Sequence, residues 1–376
     1  MKTNLLDRRT LLKMAGLTAL TAALGQGCMA RPTATPGPAR HRPMPVLVAE
    51  DRIIRTDVAL RPFRPSGFVV RSVRYDAKTV IHNYGHGGAG ISLSWGTAAL
   101  AVAEAQQTGA QTCAVLGCGA VGLAAARLLQ RHGWQVTIYA RDLPPATFSN
   151  VPGGQWAPVA VCDFSKMTPE FDQQLRLASR FGLRALQDMV GSQYGVRWLD
   201  HYILKNEPIQ LPWYHENVRD LLPGHVDLQP SEHPFASPYV RRTASLLVDP
   251  SIYLNAVMRD FLLAGGRIVV REFNELAEIL SLAEPVIVNC TGIGAGSLFA
   301  DEEIFPVKGQ LVVLLPQPEI DYILGAEGML SMMPRQDAIL LGSTREPGVW
   351  DLTPNPDEIE RVAAGHAKIF NAMRGT

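Results

Sequence analysis

The stretch that most narrows what this chain can fold into is Thr112-Cys-Ala-Val-Leu116, Gly117-Cys-Gly119-Ala-Val-Gly122, then Leu123 to His132. A short apolar strand, a tight glycine turn and a helix with apolar residues at helical spacing make a dinucleotide-binding fingerprint. Gly117 permits the turn, Gly119 lets the backbone approach a pyrophosphate, and Gly122 lets the helix pack on the sheet. The helix start, at Ala120 and Val121, offers unpaired N–H groups and a positive partial charge to phosphates. Gly133 ends the helix and Gln135–Ala140 reads as the next strand. An acidic residue normally follows that strand to hold a ribose hydroxyl. Here Arg141 comes first and Asp142 second, so Asp142 is the candidate, a solvated loop carboxylate being the plainer reading.

A second glycine cluster lies upstream, at Val80-Ile-His-Asn-Tyr84-Gly85-His86-Gly87-Gly88-Ala89-Gly90. Taken alone it reads as a structural turn. It feeds an alanine-rich helix, Ser92 to Gln107, stopped by Gly109, and only Ala110 and Gln111 separate that helix from the fingerprint strand. At 1.5 Å per residue the helix runs about 25 Å away from its loop. The strand can return alongside it, which puts both glycine loops at one end of a sheet, facing one extended cofactor.

Composition sets the frame. With 376 residues, 47% hydrophobic and 19% charged, the chain buries a large core and has room for two domains. Lys+Arg and Asp+Glu balance at 35 each, which gives no basic surface for nucleic acid. The five cysteines (Cys28, Cys113, Cys118, Cys162, Cys290) show neither metal-ligand spacing nor a disulfide framework, and Cys113 and Cys118 read as small buried hydrophobes.

The first residues carry a different message. Asp7-Arg8-Arg9-Thr10-Leu11-Leu12-Lys13 precedes an apolar run from Met14 to Leu24, too short to span a bilayer comfortably. This resembles a bacterial twin-arginine export signal, with an ordinary secretory signal or an uncleaved anchor as the alternatives. Cleavage after Ala30 and lipidation of Cys28 both remain open. Met29 to Pro45 holds five prolines in 17 residues and reads as a stiff tether. The expected location is outside the cytoplasm, in the periplasm or cell envelope.

At this point several motifs together resemble the D-amino-acid oxidase family of FAD enzymes. The phrase HNYGHGG stands at His82–Gly88, and VNCTG at Val288–Gly292 is followed by Ala295-Gly296. Asn150-Val-Pro-Gly-Gly154-Gln-Trp156, Ser245–Leu254 and Phe305-Pro-Val-Lys-Gly309-Gln310 fall in the family's order. One piece is out of order. In the family the HNYGHGG segment closes the chain, whereas here it precedes the fingerprint. The displaced piece begins earlier, with Arg61-Pro62-Phe63-Arg64-Pro65. We therefore read the chain as a circular permutant, its former termini fused at Ala110-Gln111; completion of a neighbouring subunit by residues 46–110, in a swapped homodimer, is the alternative.

The resemblance implies an α/β fold in which an FAD-binding Rossmann-like domain carries a second, mixed-sheet substrate domain. Residues 1–30 would be signal and 31–45 tether. Residues 46–78 would complete the substrate domain, 79–165 and 241–300 form the FAD domain, and 166–240 and 301–376 form the substrate domain. FAD would bind without a covalent link. Gly117, Gly119, Ala120, Val121 and Gly122 would hold its pyrophosphate, and Asp142 with Arg141 its ribose. Thr147 and Ser149 would reach the phosphates or flavin. Gly153, Gly154 and Gln155 would face the ring, with Thr291 and Gly292 beside the cofactor. Phe273 fits an adenine-side position or plain core packing. Gly87, Gly88, Ala89, Gly90, Ile91 and Ser92 would bring the second helix start to the pyrimidine edge of the flavin.

Arg61 is the expected catalytic and substrate-binding residue, its planar donor pair matching an amino acid carboxylate; Arg64 is the competing candidate. The implied reaction is hydride transfer from a D-amino acid to flavin N5. Oxygen then reoxidises the flavin to give peroxide, and the imino acid hydrolyses to a 2-oxo acid and ammonia. A membrane-associated dehydrogenase with another acceptor, or a non-catalytic FAD-binding relative, are the competing readings. One departure matters: the family's two active-site tyrosines are missing from Glu327-Gly-Met-Leu-Ser-Met-Met-Pro-Arg335. Met332 there is the substrate-binding candidate, against simple packing, and would make the pocket apolar. Tyr202, Trp213 and Tyr214 are the candidates to replace the phenols.

Overall fold

The computed structural model describes residues 42–374, so the expected export signal, Cys28 and most of the tether lie outside the described residues. Two sheets organise the rest. One has six strands in the order β2 (Val69–Tyr75), β3 (Lys78–Tyr84), β10 (Val286–Asn289), β4 (Thr112–Leu116), β5 (Gln135–Ala140) and β9 (Arg267–Val270). All are parallel except the edge strand β2. The sequence of β4 is apolar after its first residue because the strand is covered on both faces.

The second sheet is mixed and has nine strands. Its order is β1 (Ile53–Phe63), β11 (Phe305–Leu314), β14 (Ile339–Gly342), β13 (Leu330–Pro334), β12 (Tyr322–Ala326), β6 (Val196–Lys205), β8 (Tyr239–Val248) and β7 (His225–Leu228), with β15 (Glu346–Pro347) on β11. Tyr202, Leu324, Leu341 and Phe370 belong to its core.

Five long helices cover these sheets: α1 (Gly90–Gln106), α2 (Ala120–Arg131), α3 (Pro169–Gln187), α4 (Pro250–Leu263) and α5 (Pro356–Asn371). Three of them start the same way. Thr168, Asp249 and Asn355 each accept a hydrogen bond from a first-turn N–H, and each is followed by proline, whose fixed φ and missing donor suit a helix start. The other two differ. α1 starts after Ala89 and α2 after Gly119, residues with no side-chain acceptor to offer. These are the two helices that open from glycine loops; the first-turn donors of α1 are left for something else, and in α2 Ser149 takes only that of Ala120.

Residues 46–110 are built into both sheets of the same chain. β1 pairs with β11 from Ile53↔Leu314 to Phe63↔Phe305, while β3 lies parallel to β10. Val46 shares a buried cluster with Phe370 and Met373, so the two ends of the described fold pack together.

The sheets change over at other places than the expected domain limits. β2 belongs to the six-stranded sheet, so the crossing falls between Phe63 and Val69 and not at 78. α3 packs on α1, with Leu183 and Leu186 in the core around Trp95, which ties residues 169–187 to the first sheet. β8 stays paired with β6 up to Val248, so the return comes near Asp249, the α4 cap, and not at 241. Strand pairing and helix packing between distant segments, which local apolar patterning does not encode, decide these boundaries.

Candidate active site

A cleft of about 750 Å3 opens at the carboxyl ends of the parallel strands. Asn83 and Tyr84 of β3, Leu116 of β4, Tyr139 and Ala140 of β5, and Cys290 after β10 all line it. That is where ligands sit in open α/β sheets.

The fingerprint turn is held by Gly117 N–H donating to the Tyr139 carbonyl at 2.7 Å. Its glycines are required by crowding. A Cβ on Gly117, at φ +101°, would stand 2.5 Å from the Cys290 carbonyl oxygen. One on Gly122 would fall well inside van der Waals contact of the Gly117 carbonyl. Gly122 therefore works by letting α2 pack against the turn. It does not line the cleft, whereas Gly117, Gly119, Ala120 and Val121 do. Ser149 Oγ accepts from Ala120 N–H at 3.1 Å, and Thr147 Oγ1 donates to Asn150 Oδ1 at 2.8 Å; both hydroxyl residues line the cleft.

At the far end, Arg141 bridges Asp142 at 2.8 Å and Glu272 at 3.3 Å on the exposed rim. Phe273 lines the cleft and also meets Tyr139 edge-on, with the Arg271 guanidinium 4.6 Å from its ring centre, so both readings of this residue meet in one place.

The loop at Gly153, Gly154 and Gln155 is pinned from two sides. Val248 N–H donates to the Gly154 carbonyl at 2.9 Å, and Trp156 N–H to Leu246 at 2.8 Å. Buried Arg335 donates to the Asn150 carbonyl at 3.1 Å and faces Asp249 at 3.8 Å. Gln155 Nε2 lies 3.0 Å from His201 Nδ1.

The second glycine loop reaches the first loop region directly. Ser92 Oγ accepts from Ala157 N–H at 3.0 Å, and Gly88 N–H donates to Ala160 at 3.1 Å. Gly87, Gly88, Gly90, Ile91 and Ser92 line the cleft, as do Thr291 and Gly292 from the strand opposite. Ala89 does not: its methyl packs in a core with Phe68, Leu93 and Phe171. Burial pushes His86 down to about 3 and His82 to about 4, so both rings are neutral, His86 lying 2.8 Å from Thr97 Oγ1.

Asn83 was missed in the sequence. It is fully buried, lines the cleft, and neither its Oδ1 nor its Nδ2 has a partner among the described residues. A buried amide with donor and acceptor both unmet calls for a polar ligand. Two helix starts opening from glycine loops, crowded glycine turns and this orphaned amide fit an extended dinucleotide such as FAD.

The substrate end is built around Arg61. Its guanidinium lies over Gly309, where a Cβ would come 2.5 Å from Arg61 Cζ, and Nη1 donates to the Thr344 carbonyl at 3.0 Å. Burial and the nearby Arg345 cation pull its proton affinity below the usual arginine level. No carboxylate pairs with it among the described residues. Arg64 is the opposite case. It bonds Asp301 at 2.8 Å, Glu303 at 2.7 Å, and the Ser66 hydroxyl and Gly67 carbonyl at 2.8 Å each, so its donors are spent on structure.

Met332 is a correction. It is buried in the second sheet's core with Tyr202 and Leu341, while Ser331 and Met333 line the cleft. Side chains alternate along β13, and a one-residue difference in parity exchanges the two faces. Tyr202 is likewise in the core, and Trp213 and Tyr214 pack on each other at 5.7 Å outside the cleft. Of the cleft's phenols, Tyr84 donates to Asp301 at 2.8 Å and Tyr139 to Glu284 at 3.2 Å. Nor is this end wholly apolar, since Arg345 lines it with its guanidinium 5.4 Å from the Phe63 ring centre.

Comparison with known proteins agrees with this geometry. The family described as "DAO: FAD dependent oxidoreductase" matches residues 112–375. D-amino-acid oxidase of Streptomyces coelicolor is 29% identical over 269 residues, covering 69% of this chain and 77% of the relative. Human D-aspartate oxidase is 28% identical over 271 residues, covering 70% and 76%. Among solved structures, glycine oxidase from Geobacillus kaustophilus superposes with a TM-score of 0.54 at 18% identity over 69% of this chain and 78% of its own, a likeness of fold. With the glycine turns, the cleft and the match over residues 112–375 in agreement, the chain belongs to the DAO family of FAD-dependent oxidoreductases.

Proposed function

We propose that this flavoprotein oxidises free D-amino acids, with oxygen as acceptor, and the observation that carries the reading is Arg61. A half-buried guanidinium with no ionic partner among the described residues, lining a cleft, is ready for a carboxylate. The S. coelicolor and human relatives, named for D-amino acids and D-aspartate, support the substrate class.

Bound FAD supplies the two-electron acceptor. The chain's own part is orientation. Arg61 fixes the carboxylate, which leaves the α-carbon free to be held at about 3–3.5 Å from its acceptor. Met333 and Leu311 present apolar surface at the same end, which limits water. No carboxylate lines this end among the described residues, so no acidic side chain stands ready to take the α-hydrogen as a proton. The uncapped first turn of α1 offers N–H donors to negative charge. The net reaction turns a D-amino acid, water and oxygen into a 2-oxo acid, ammonia and hydrogen peroxide.

Circular permutation and export belong to the same proposal. The family match starts at 112, although residues 53–106 supply strands to both sheets, as a displaced segment would. In air, purified holoenzyme given D-alanine or D-methionine should release peroxide, ammonia and 2-oxo acid in equal amounts. Flavin reduction without peroxide would replace oxygen by another acceptor. A flavin that no D-amino acid reduces would make the protein a non-catalytic binder.

A further inference from the structure

The substrate end of the cleft holds two guanidinium groups and no carboxylate. The only carboxylates lining the cleft among the described residues are Asp142 and Glu272, and both are engaged by Arg141 at the opposite end. Arg64, the other arginine near Arg61, is neutralised by Asp301 and Glu303. Arg61 and Arg345 have no such partner. Even Glu346, next to Arg345 in sequence, turns its oxygens to Gln310 at 2.7 Å and Asn355 at 3.2 Å.

Arg345 is held in place by its surroundings. The preceding residue, Thr344, accepts from Gln310 N–H through its hydroxyl at 2.8 Å and from Arg61 through its carbonyl at 3.0 Å. One residue further back, Ser343 N–H donates to Met329 at 2.7 Å and the Ser343 carbonyl accepts from Arg361 at 3.0 Å. The Arg345 guanidinium rests over Phe63, two residues beyond Arg61 and therefore on the same face of β1, about 7 Å along the strand. The two cations thus flank one short space, close enough for Arg345 to depress the proton affinity of Arg61. A substrate with one carboxylate leaves one of them uncompensated.

We infer that Arg345 binds a second, side-chain carboxylate, and that the preferred substrates are dicarboxylic D-amino acids of aspartate or glutamate size. This rests on the oxidase reading above for turnover, but not for binding. Arg345 is exposed at the cleft mouth, so the preference is screened by salt and is of moderate size.

Two measurements on the holoenzyme test it. In the first, D-aspartate and D-glutamate are compared with D-alanine and D-methionine by anaerobic flavin reduction. Acidic substrates should show a flavin-reduction rate constant divided by Kd about 10- to 100-fold higher at low ionic strength. Arg345→Gln should collapse that ratio to near one, and Arg345→Lys should restore part of it. In the second, succinate and butyrate, equal in length but carrying two carboxylates and one, are titrated by their shift of the unfolding temperature. Succinate should bind about tenfold tighter, an advantage that Arg345→Gln removes. Neutral D-amino acids reducing the flavin as well as acidic ones, or an equal loss for both classes in Arg345→Gln, would overturn the inference and leave the oxidase reading intact. If no D-amino acid reduces the flavin, the oxidase reading fails, and the succinate titration still decides whether Arg345 holds a second carboxylate.

Discussion

Replacing Arg61 by leucine should leave the flavin bound and lower kcat/KM for D-amino acids by about 30- to 5,000-fold. The range follows from a buried carboxylate losing its charged partner, which costs about 2–5 kcal/mol, at about 1.36 kcal/mol per decade. Most of the loss should appear in KM, because carboxylate binding is shared by bound substrate and transition state. The remainder falls on kcat through looser orientation of the α-carbon. Arg61→Lys should recover only part, since an ammonium cannot grip a carboxylate in two places. Arg64→Leu should behave differently. It strips Asp301 and Glu303 of their cation, so its main effect should be a lower unfolding temperature. Steady-state kinetics and thermal unfolding on the same three variants check this. Unchanged kinetics in Arg61→Leu would remove the residue from the site.

Gly122→Val should give a protein that no longer retains FAD. Gly122 lies inside α2 with ordinary helical geometry, so backbone strain is not the issue. The difficulty is the Gly117 carbonyl oxygen, against which any Cβ at 122 would be forced. Relief requires moving the turn or the helix, and either displaces Ala120 and Val121 from the phosphate position. Overpacking of this kind costs about 1–3 kcal/mol or more. Concentrated in the binding turn, it should weaken FAD affinity on the order of 100-fold. Gly224→Ala, where a Cβ meets nothing within 4 Å, is the control. The flavin-to-protein absorbance ratio after purification reads the outcome, and a fully yellow Gly122→Val protein would contradict it.

The fingerprint was legible in the sequence because its physics is local. The strands expected at Thr112–Leu116 and Gln135–Ala140 form as read, and the helix expected over 92–107 runs Gly90–Gln106. Apolar period, glycine turn and helix start are all written within a few residues. The choice between Arg61 and Arg64 was not legible, since it depends on Asp301 and Glu303, more than 230 residues away in the chain. Met332 and Met333 are equally apolar, and only the pairing of β13 with β12 and β14 decides which faces the core. Arg345 carries no periodic signal because it follows the end of a strand, and Phe63 and Thr344 set its position. Asn83 lay inside a motif already noticed. What singles it out is the absence of any partner, which only three-dimensional packing reveals.

Residues 53–106 and 112–374 should together enclose one FAD whose ring faces Arg61. A crystal structure of the holoenzyme with a bound non-oxidisable carboxylate such as benzoate tests it most directly. The flavin should lie between the Gly153–Gln155 loop and the start of α1, with the carboxylate on Arg61 at about 2.7–2.9 Å. Flavin bound elsewhere, or a carboxylate that leaves Arg61 untouched, would contradict it.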